Sequence, residues 1–362
     1  MERRRFLVKA GGVLVAAGAT AAVVDAPNVI AQPKFKWRLA TSWPPKFHPL
    51  HTSMEMFAKT VDLTTGGRLK FEIYGGGELV PALENFEAAR RGTIEAGNSA
   101  AYYWAGKEPA TQWFTAVPFG LNSQGTQAWL VAGGGQALYD EVYKGFDLVG
   151  RRCGPTGIQM GGWFRKKIET IADYKGLKMR IPGLGGKVVA KAGGTVTLLA
   201  VGDIFPSLER GVIDATEWVG PLQDERAGFY KATKFYYYPG WHEPGTASEV
   251  FFNKKAWDSL PVDIQHAVEA ALVQADTWVL ATHEAGNSEA LERLVSKHGV
   301  QLFRFPDAVL RELRKLSAEV LREESEKSPM AKKVHAHYEK FKKQWLAYSD
   351  LSERAYFHMM FA

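Results

Sequence analysis

The feature that most constrains the fold is an alternation of short apolar strands and amphipathic helices near the start of the chain. Residues 34–42, 69–74 and 94–98 are typical of strands, and residues 48–63 and 81–91 between them have apolar side chains at helical spacing. Strands that alternate with helices favour a parallel, wound sheet. Ligands of such sheets bind at the carboxyl ends of the strands. We therefore predict an α/β fold with a binding site beside the loops that follow the first and third strands.

The sequence of the remaining chain predicts a second lobe and a helical C-terminal region. We assign residues 32–158 to the first part of lobe I, residues 159–240 to lobe II, residues 241–285 to a hinge and a return to lobe I, and residues 286–362 to a helical C-terminal region. In this layout the chain crosses between the lobes more than once. Such crossings can act as hinges when two lobes close around a ligand.

Residues 1–31 have the features of an export signal, which does not belong to the folded domain. Arg3-Arg4 followed by Phe6-Leu7 is typical of a twin-arginine signal. The apolar stretch after it has about 15 residues, whereas a membrane-spanning helix needs about 20. We therefore expect cleavage after Ala31 rather than a membrane anchor, and a mature protein in the periplasm.

Charge and cysteine content exclude several kinds of site. The chain has 362 residues and a formal net charge of +6, but no basic stripe with a nucleic-acid-binding motif, so we expect no nucleic-acid partner. Cys153 is the only cysteine. A single cysteine excludes an intrachain disulfide and a cysteine-rich metal site.

An arginine on a short strand marks the candidate binding site. Arg180 lies in the run Gly-Leu-Lys-Met-Arg-Ile-Pro-Gly, residues 176–183, whose alternation indicates a strand that the Pro-Gly pair ends. A guanidinium is a planar fork of donors that matches a carboxylate. Taken alone, a surface salt bridge is the better interpretation of such an arginine. Glu217-Trp218 follow a second turn, so the region combines an anion site with acidic groups for a cation.

Several sequence runs resemble the solute-binding receptors of the tripartite ATP-independent periplasmic (TRAP) transporters. The subgroup that binds small 2-oxo or 2-hydroxy monocarboxylates is the most similar. The resemblance implies a two-lobed periplasmic-binding-protein fold and a receptor, not an enzyme, that delivers its ligand to a membrane permease. The matching runs are residues 77–81, 102–107, 156–165, 176–183, 215–221 and 236–241.

The same resemblance assigns ligand contacts. It implies that Arg180 binds the carboxylate of a pyruvate- or lactate-like acid, and it favours that role over a surface salt bridge. It places the hydroxyl of Tyr103 near the 2-oxygen of the ligand. Gln159 and Trp218 would complete the ligand-binding set.

The resemblance also implies a metal ion beside the acid. Its ligands would be the amide oxygen of Gln159, the carboxylates of Glu217 and Glu243, and the main-chain carbonyl of Trp218. An all-oxygen set suits hard cations such as Na⁺ or Ca²⁺ and is unsuited to zinc. The resemblance favours Na⁺, whereas two carboxylates favour Ca²⁺ on charge. The spacing of three histidines is not that of metal ligands: His48, His51 and His242.

The last predicted helix, residues 330–351, carries an apolar stripe with two interpretations. The stripe has heptad-like spacing and consists of Val334, Tyr338, Phe341, Trp345 and Tyr348. It would pack either on the protein's own core or in a groove of a second copy. The resembling subgroup includes dimers that exchange a C-terminal helix, so a homodimer through this helix is one expectation.

Two rival functions complete the set of hypotheses. One is a receptor for another organic acid or a polyol-like solute, with Arg180 still engaged. The other is a periplasmic hydrolase that uses Glu217 and Glu243 as an acid pair.

Overall fold

The computed structural model describes residues 35–361, which form two β-sheets flanked by helices. The strands are β1 (Phe35–Thr41), β2 (Leu69–Tyr74), β3 (Ala96–Ser99), β4 (Leu148–Gly157), β5 (Gly162–Phe164), β6 (Lys178–Arg180), β7 (Thr195–Thr197), β8 (Ala215–Thr216), β9 (Phe235–Tyr238), β10 (Thr246–Asn253) and β11 (Gln301–Arg304). The helices are α1 (Thr52–Thr64), α2 (Asn85–Arg90), α3 (Ser123–Val131), α4 (Gly135–Lys144), α5 (Gly183–Lys191), α6 (Val201–Glu209), α7 (Pro221–Ala227), α8 (Lys254–Asp258), α9 (Val262–Ser296), α10 (Asp307–Ser325), α11 (Pro329–Leu351) and α12 (Glu353–Met360).

The sheet of lobe I has the strand order β2-β1-β3-β10-β4. Strand β1 is parallel to β2 and β3, and β10 is antiparallel to β3 and β4. Helices α1 and α9 bury their apolar stripes against this sheet, with Phe57, Val61 and Val268 among the fully buried side chains. The alternation of strands and helices therefore predicted the parallel half of this lobe correctly.

The sheet of lobe II has the order β11-β9-β5-β8-β6-β7. Strand β6 is parallel to both β7 and β8, so the carboxyl ends of these three strands lie at one edge. Strand β11 pairs parallel with β9 and lies within residues 286–362, which the sequence predicted to be mostly helical. β11 has four residues and is largely exposed. Such a short edge strand carries little periodic signal.

The chain passes between the two sheets three times. It leaves lobe I between β4 and β5, returns between β9 and β10, and enters lobe II again after α9 to form β11. This agrees with the expectation of hinge crossings. The lobe boundaries proposed from the sequence remain predictions, since α9 runs without interruption across residues 285 and 286.

The C-terminal helices connect both lobes and then leave the core. Helix α10 packs against α5 of lobe II, while the first half of α11 packs against lobe I. Val334 and Tyr338 are buried, Phe341 and Trp345 are half-buried, and Tyr348 is 71% exposed. The apolar stripe of α11 thus begins in the protein's own core and continues into solvent.

The predicted signal, residues 1–31, lies outside the described residues. Within residues 35–361, no helix combines the length and apolar character that a membrane crossing requires.

Candidate functional site

The candidate site lies where strand ends of both lobes meet. Arg180 is the last residue of β6 and is in register with Thr216, the last residue of β8. Glu217 therefore follows directly beside Arg180, and its amide donates to the Arg180 carbonyl at 3.2 Å. In lobe I, Tyr103 lies in a single 3₁₀ turn just after β3. The carboxyl ends of strands thus present these groups, as expected for wound sheets.

The two crossing segments that form the hinge supply the other predicted groups. Gln159 lies between β4 and β5, and Glu243 lies between β9 and β10. The Gln159 main-chain amide donates to the Glu243 carbonyl at 3.2 Å, and its side-chain amide donates to Glu243 Oε2 at 2.8 Å. The Thr246 hydroxyl donates to the same oxygen at 2.6 Å. A Cβ at Gly240 would overlap the Gln159 carbonyl, so only glycine permits this close approach.

Arg180 is the centre of the site. It is 1% exposed and forms an ion pair with Glu217 Oε1. Its Nη2 donates to the Tyr103 hydroxyl at 3.3 Å, which joins lobe II to lobe I, and its Nε donates to the Leu199 carbonyl at 3.3 Å. The guanidinium also lies 5.3 Å from the centre of the Trp218 ring. All of these contacts hold the guanidinium in one orientation.

Burial dominates the electrostatics of the acidic groups. It raises the pKa of Glu217 to about 7, against the lowering effect of Arg180. Burial and the charge of Glu217 raise the pKa of Glu243 to about 7. Burial would lower the pKa of Arg180, but the negative charge of Glu217 reverses this and raises it above its usual value. The two carboxylates share the positive charge of Arg180, so a second positive charge beside them is needed for both to be ionised without cost.

Several unpaired polar atoms lie at this place, and others lie elsewhere in residues 35–361. Buried polar groups normally have hydrogen-bond partners. Here Gln159 Oε1, Glu217 Oε2 and the indole nitrogens of Trp43 and Trp218 have none within the described residues. The Trp43 and Trp218 rings contact each other across the lobes, with their centres 5.8 Å apart. The two oxygens are able to bind a metal ion, and the two indole N–H groups are able to donate to a ligand. The residues therefore fit a metal ion held by oxygen atoms.

His242 lies in the same cluster. It is 1% exposed, and its Nε2 is 3.4 Å from Glu217 Oε2. One ligand atom from each of Glu217, His242 and Glu243 lies within 4.8 Å of the other two. Burial lowers the pKa of the His242 imidazole to about 4, which leaves the ring neutral.

The structure thus brings the predicted residues together, and it adds two others. Arg180, Glu217, Gln159 and Glu243 surround one point, with Tyr103 and Trp218 beside Arg180. Their roles toward a ligand stay predictions. The set of site residues predicted from the sequence did not include Trp43 or His242. For His242 a signal existed, since it stands directly before Glu243 in the chain.

Comparison with known proteins identifies the family. The model of the bacterial extracellular solute-binding proteins, family 7 (DctP), matches residues 39–328. The chain belongs to this family. Membership confirms the resemblance to TRAP receptors and the prediction of a binding protein, and it speaks against the hydrolase that would use Glu217 and Glu243.

Three proteins similar to this chain have names that state a ligand class or a bound ligand. A monocarboxylate 2-oxoacid-binding periplasmic protein of Nostoc sp. is 43% identical over 324 residues, which cover 90% of this chain and 88% of that protein. A TRAP solute-binding protein of Bordetella bronchiseptica, a dimer with calcium and picolinate, has a TM-score of 0.89 and 38% identity over 91% of this chain and 98% of its own. One of Pseudoalteromonas atlantica, with sodium and pyruvate, has a TM-score of 0.86 and 37% identity over 90% of this chain and 98% of its own.

The family membership fixes the general role of this TRAP receptor. It is an extracytoplasmic solute-binding protein that binds small organic acids and works with membrane permease subunits. It has the two-lobed fold of its structural neighbours. Those neighbours hold sodium or calcium together with the acid.

Proposed function

We propose that this TRAP receptor captures a small 2-oxo or 2-hydroxy monocarboxylate, such as pyruvate or lactate, together with a metal ion. The observation that carries the proposal is the buried pair of Arg180 and Glu217 beside two unpaired oxygens, Gln159 Oε1 on the hinge and Glu217 Oε2. One guanidinium offers a bidentate site for one carboxylate. The similarity to a 2-oxoacid-binding protein and to a pyruvate-bound receptor supports the same ligand class.

Charge balance explains why the acid and the ion would bind together. The charge of Arg180 is balanced by Glu217, whose side chain is 0% exposed. An acid that takes over Arg180 leaves the Glu217 carboxylate buried without a partner, which is costly. A cation between Glu217 and Glu243 removes that cost. The acid thus displaces an internal carboxylate, and the ion compensates for the carboxylate that is displaced.

The proposed ion also accounts for the 2-oxygen. A carboxylate oxygen and the adjacent oxo or hydroxy oxygen can bind one ion as a chelate, which a plain fatty acid cannot do. Gln159 Oε1, the carboxylates of Glu217 and Glu243 and the Trp218 carbonyl would be the protein's oxygen ligands. Such a set suits Na⁺ or Ca²⁺. The Tyr103 hydroxyl, already 3.3 Å from Arg180 Nη2, would donate to the 2-oxygen.

Closure of the two lobes would retain the ligand. Tyr103 and Trp43 of lobe I contact Arg180 and Trp218 of lobe II. A ligand bound between these groups stabilises the closed form because it binds that form better than the open one. No chemical step is required. The permease would then receive the acid when the lobes reopen.

Titration calorimetry of the metal-stripped mature protein tests the proposal. Pyruvate should bind at one site per chain when Na⁺ or Ca²⁺ is present and weakly without either ion. Arg180→Ala should abolish binding, and Arg180→Lys, which keeps the charge but loses the fork, should weaken it about tenfold to a hundredfold. Arg165→Ala is the control, because Arg165 is an exposed arginine of the same lobe. Binding that survives Arg180→Ala would refute the site.

If pyruvate does not bind with any ion, the ligand belongs to a different class of compound. A panel of larger organic acids and polyol-like solutes would then test the rival receptor, in which Arg180 is still engaged with the ligand. Retention of intact ligand without turnover distinguishes either receptor from a hydrolase.

We infer that the C-terminal helices form a homodimer. The apolar stripe of α11 runs into solvent, and α12 has no buried residue. An exposed apolar surface of this kind marks an interaction site, and one structural neighbour is a dimer. Exposed apolar side chains are Tyr348, Leu351, Tyr356, Phe357, Met359, Met360 and Phe361.

Light scattering during gel filtration tests the dimer. Phe357→Glu combined with Met360→Glu should convert a dimer to a monomer without loss of folding, since both side chains are exposed. Leu63→Glu, at an exposed site on α1, is the control. A monomeric wild type, or a dimer that survives both substitutions, would refute this interface.

We infer that the receptor reaches the periplasm through a twin-arginine signal. Arg3 and Arg4 support this route, because they precede Phe6-Leu7 as in such signals. Replacement of both arginines by lysine should stop export. Export that continues unchanged would point to a different route.

A further inference from the structure

Asp224 is a buried carboxylate of lobe II to which the proposed function gives no role. It lies in the first turn of α7 and is 1% exposed. Its Oδ2 accepts from the Trp163 indole at 2.9 Å and from the Tyr236 hydroxyl at 2.7 Å. Its Oδ1 accepts from the Val219 main-chain amide at 3.2 Å. One carboxylate thus joins β5, β9 and the segment that follows β8.

The Val219 amide belongs to the same peptide group as the Trp218 carbonyl. This peptide bond is trans, and the C=O and N–H of a planar trans peptide point in opposite directions. Asp224 lies on the N–H side, where it also binds Trp163 and Tyr236 of the lobe II core. The Trp218 carbonyl therefore points away from Asp224. The carboxylate thus fixes the direction of an oxygen that the proposed function makes a ligand of the ion.

The Trp218 carbonyl differs from the carbonyls on either side of it. The Glu217 carbonyl accepts from the Thr216 hydroxyl at 2.8 Å, and the Val219 carbonyl accepts from the Met160 amide at 3.0 Å. The Trp218 carbonyl accepts no hydrogen bond from any group within residues 35–361. The hydrogen bonds of this segment therefore hold the chain on both sides of Trp218 and leave its oxygen for an ion.

We propose that Asp224 is a positioning residue for the ion that binds with the acid, because its carboxylate holds the Trp218–Val219 peptide with the Trp218 carbonyl directed at the ion. This inference rests on the proposed function and deepens it. Asp224 does not touch the ion. Groups behind the ligands of a metal ion orient those ligands and increase the affinity for the ion. A negative charge at the N–H also polarises the peptide and makes its carbonyl oxygen a stronger ligand.

The substitution Asp224→Asn separates the two sides of this carboxylate. It replaces one of the two acceptor oxygens with an NH₂ group, which only donates. The remaining oxygen cannot accept both from Trp163 and Tyr236 on one side and from Val219 on the other. We expect it to stay with the two side-chain donors, because that arrangement keeps two hydrogen bonds instead of one. The peptide then loses its anchor while lobe II keeps both side-chain bonds.

Calorimetry at about pH 8 measures the effect on the ion. Burial raises the pKa of Asp224 to about 7, so the carboxylate is mostly ionised at this pH. Metal-stripped mature protein is titrated with Ca²⁺, alone and with saturating pyruvate. Asp224→Asn should bind Ca²⁺ about tenfold to a hundredfold more weakly than the wild type. Its metal-free affinity for pyruvate should stay that of the wild type, because Arg180 is unchanged.

Tyr236→Phe is the matched control. It removes one hydrogen bond from the same carboxylate and leaves the bond to Val219 in place. Urea unfolding should show a similar loss of stability in Tyr236→Phe and Asp224→Asn, whereas only Asp224→Asn should lose Ca²⁺ affinity. An equal loss of Ca²⁺ affinity in both variants would overturn the inference, since it would follow from a weakened lobe. Wild-type Ca²⁺ affinity in Asp224→Asn would overturn it too.

Nuclear magnetic resonance observes this peptide in the wild type, without any variant. The chain contains two Trp-Val pairs, Trp218-Val219 and Trp278-Val279. Protein with ¹³C in the tryptophan carbonyls and ¹⁵N in valine therefore gives two signals in a spectrum that correlates each amide with the preceding carbonyl. The Val219 signal should shift when Ca²⁺ binds, because an ion on the carbonyl polarises the peptide. The Val279 signal should stay, because the Trp278 carbonyl lies within α9 and accepts from the Thr282 hydroxyl at 2.7 Å.

The two proposals can fail separately. If pyruvate binds with Na⁺ or Ca²⁺ and the Val219 signal does not move, the proposed function stands and the role of Asp224 is refuted. If no ion supports pyruvate binding, the proposed ligand class is wrong. Titration with Ca²⁺ alone then decides through the Val219 signal and Asp224→Asn whether Asp224 directs the carbonyl at an ion. A wild type that binds no ion, with or without pyruvate, overturns both proposals.

Discussion

Replacement of Glu217 by glutamine tests the exchange of partners at Arg180. Arg180 and Glu217 are 1% and 0% exposed in their side chains and form an ion pair. The glutamine keeps the shape of the side chain but removes its charge. The guanidinium then stays buried without a balancing anion, and a monocarboxylate no longer has to displace one. We therefore expect the variant to bind pyruvate without metal better than the wild type does.

The size of the effect follows from the burial of the pair. Loss of one partner of a buried ion pair destabilises a protein by about 3–5 kcal/mol. A carboxylate ligand that restores the partner contributes a charge-assisted hydrogen bond of about 1.5–3 kcal/mol. Metal-free affinity for pyruvate should therefore rise about tenfold to a hundredfold over the wild type. With the ion present the order should reverse, because the variant lacks one carboxylate ligand.

The assay combines urea unfolding and calorimetry in sodium-free buffer with a chelator. The metal-free variant should unfold at lower urea than the wild type, and pyruvate should recover much of that loss. Glu249→Gln is the control for binding, because Glu249 is a fully buried carboxylate held by Tyr139, Tyr143 and Trp104 away from Arg180. It should bind pyruvate with the metal dependence of the wild type. A Glu217→Gln protein as stable as the wild type, or one that binds no pyruvate without metal, would refute the exchange.

Three further predictions concern the lobes, the hinge and a buried acid. Tyr103→Phe should weaken pyruvate binding about tenfold in calorimetry, because one hydroxyl hydrogen bond is lost, and an unchanged affinity would contradict its role. Gly240→Ala should lower the free energy of unfolding by about 1–3 kcal/mol because its Cβ would overlap the Gln159 carbonyl, whereas Gly106→Ala, with open space around it, should have little effect. Burial raises the pKa of Glu249 from 4.5 to about 7 in the folded protein. The folded state therefore binds more protons between these values, and the stability of the wild type relative to Glu249→Gln should fall by up to about 3 kcal/mol as pH rises from 4.5 to 7. Urea unfolding of both proteins at about pH 5 and about pH 8 checks this prediction. If the difference in free energy of unfolding between the two proteins is the same at both pH values, the prediction is contradicted.

Much of the fold could be predicted from the sequence because local patterns specified it. Ile264, Val268 and Val279 follow helical spacing after Pro261, a pattern that by itself predicts a helix, and the structure has one there. Three consecutive glycines, residues 133–135, by themselves predict a break in a helix, and they lie where α3 ends and α4 begins. Strand β11 was not predicted, because four mostly exposed residues at a sheet edge carry no periodic signal.

The site was predicted less completely. Residue type and family resemblance selected Arg180 and the oxygen donors Gln159, Glu217 and Glu243. They did not show that Arg180 is paired with Glu217, because the register of β6 with β8 sets that distance. They also gave no role to His242, although it stands directly before Glu243 in the chain.

By itself, the sequence determined the α/β lobes, the family and the chemical character of the site. Apolar periodicity, turn residues and an arginine in a motif are local properties that the order of residues already contains. Only the tertiary structure decided which charges neutralise one another and which polar atoms remain unpaired. Those properties depend on distances between Gln159, Glu217 and His242, which lie on separate segments that only the packing of two sheets and the hinge brings together.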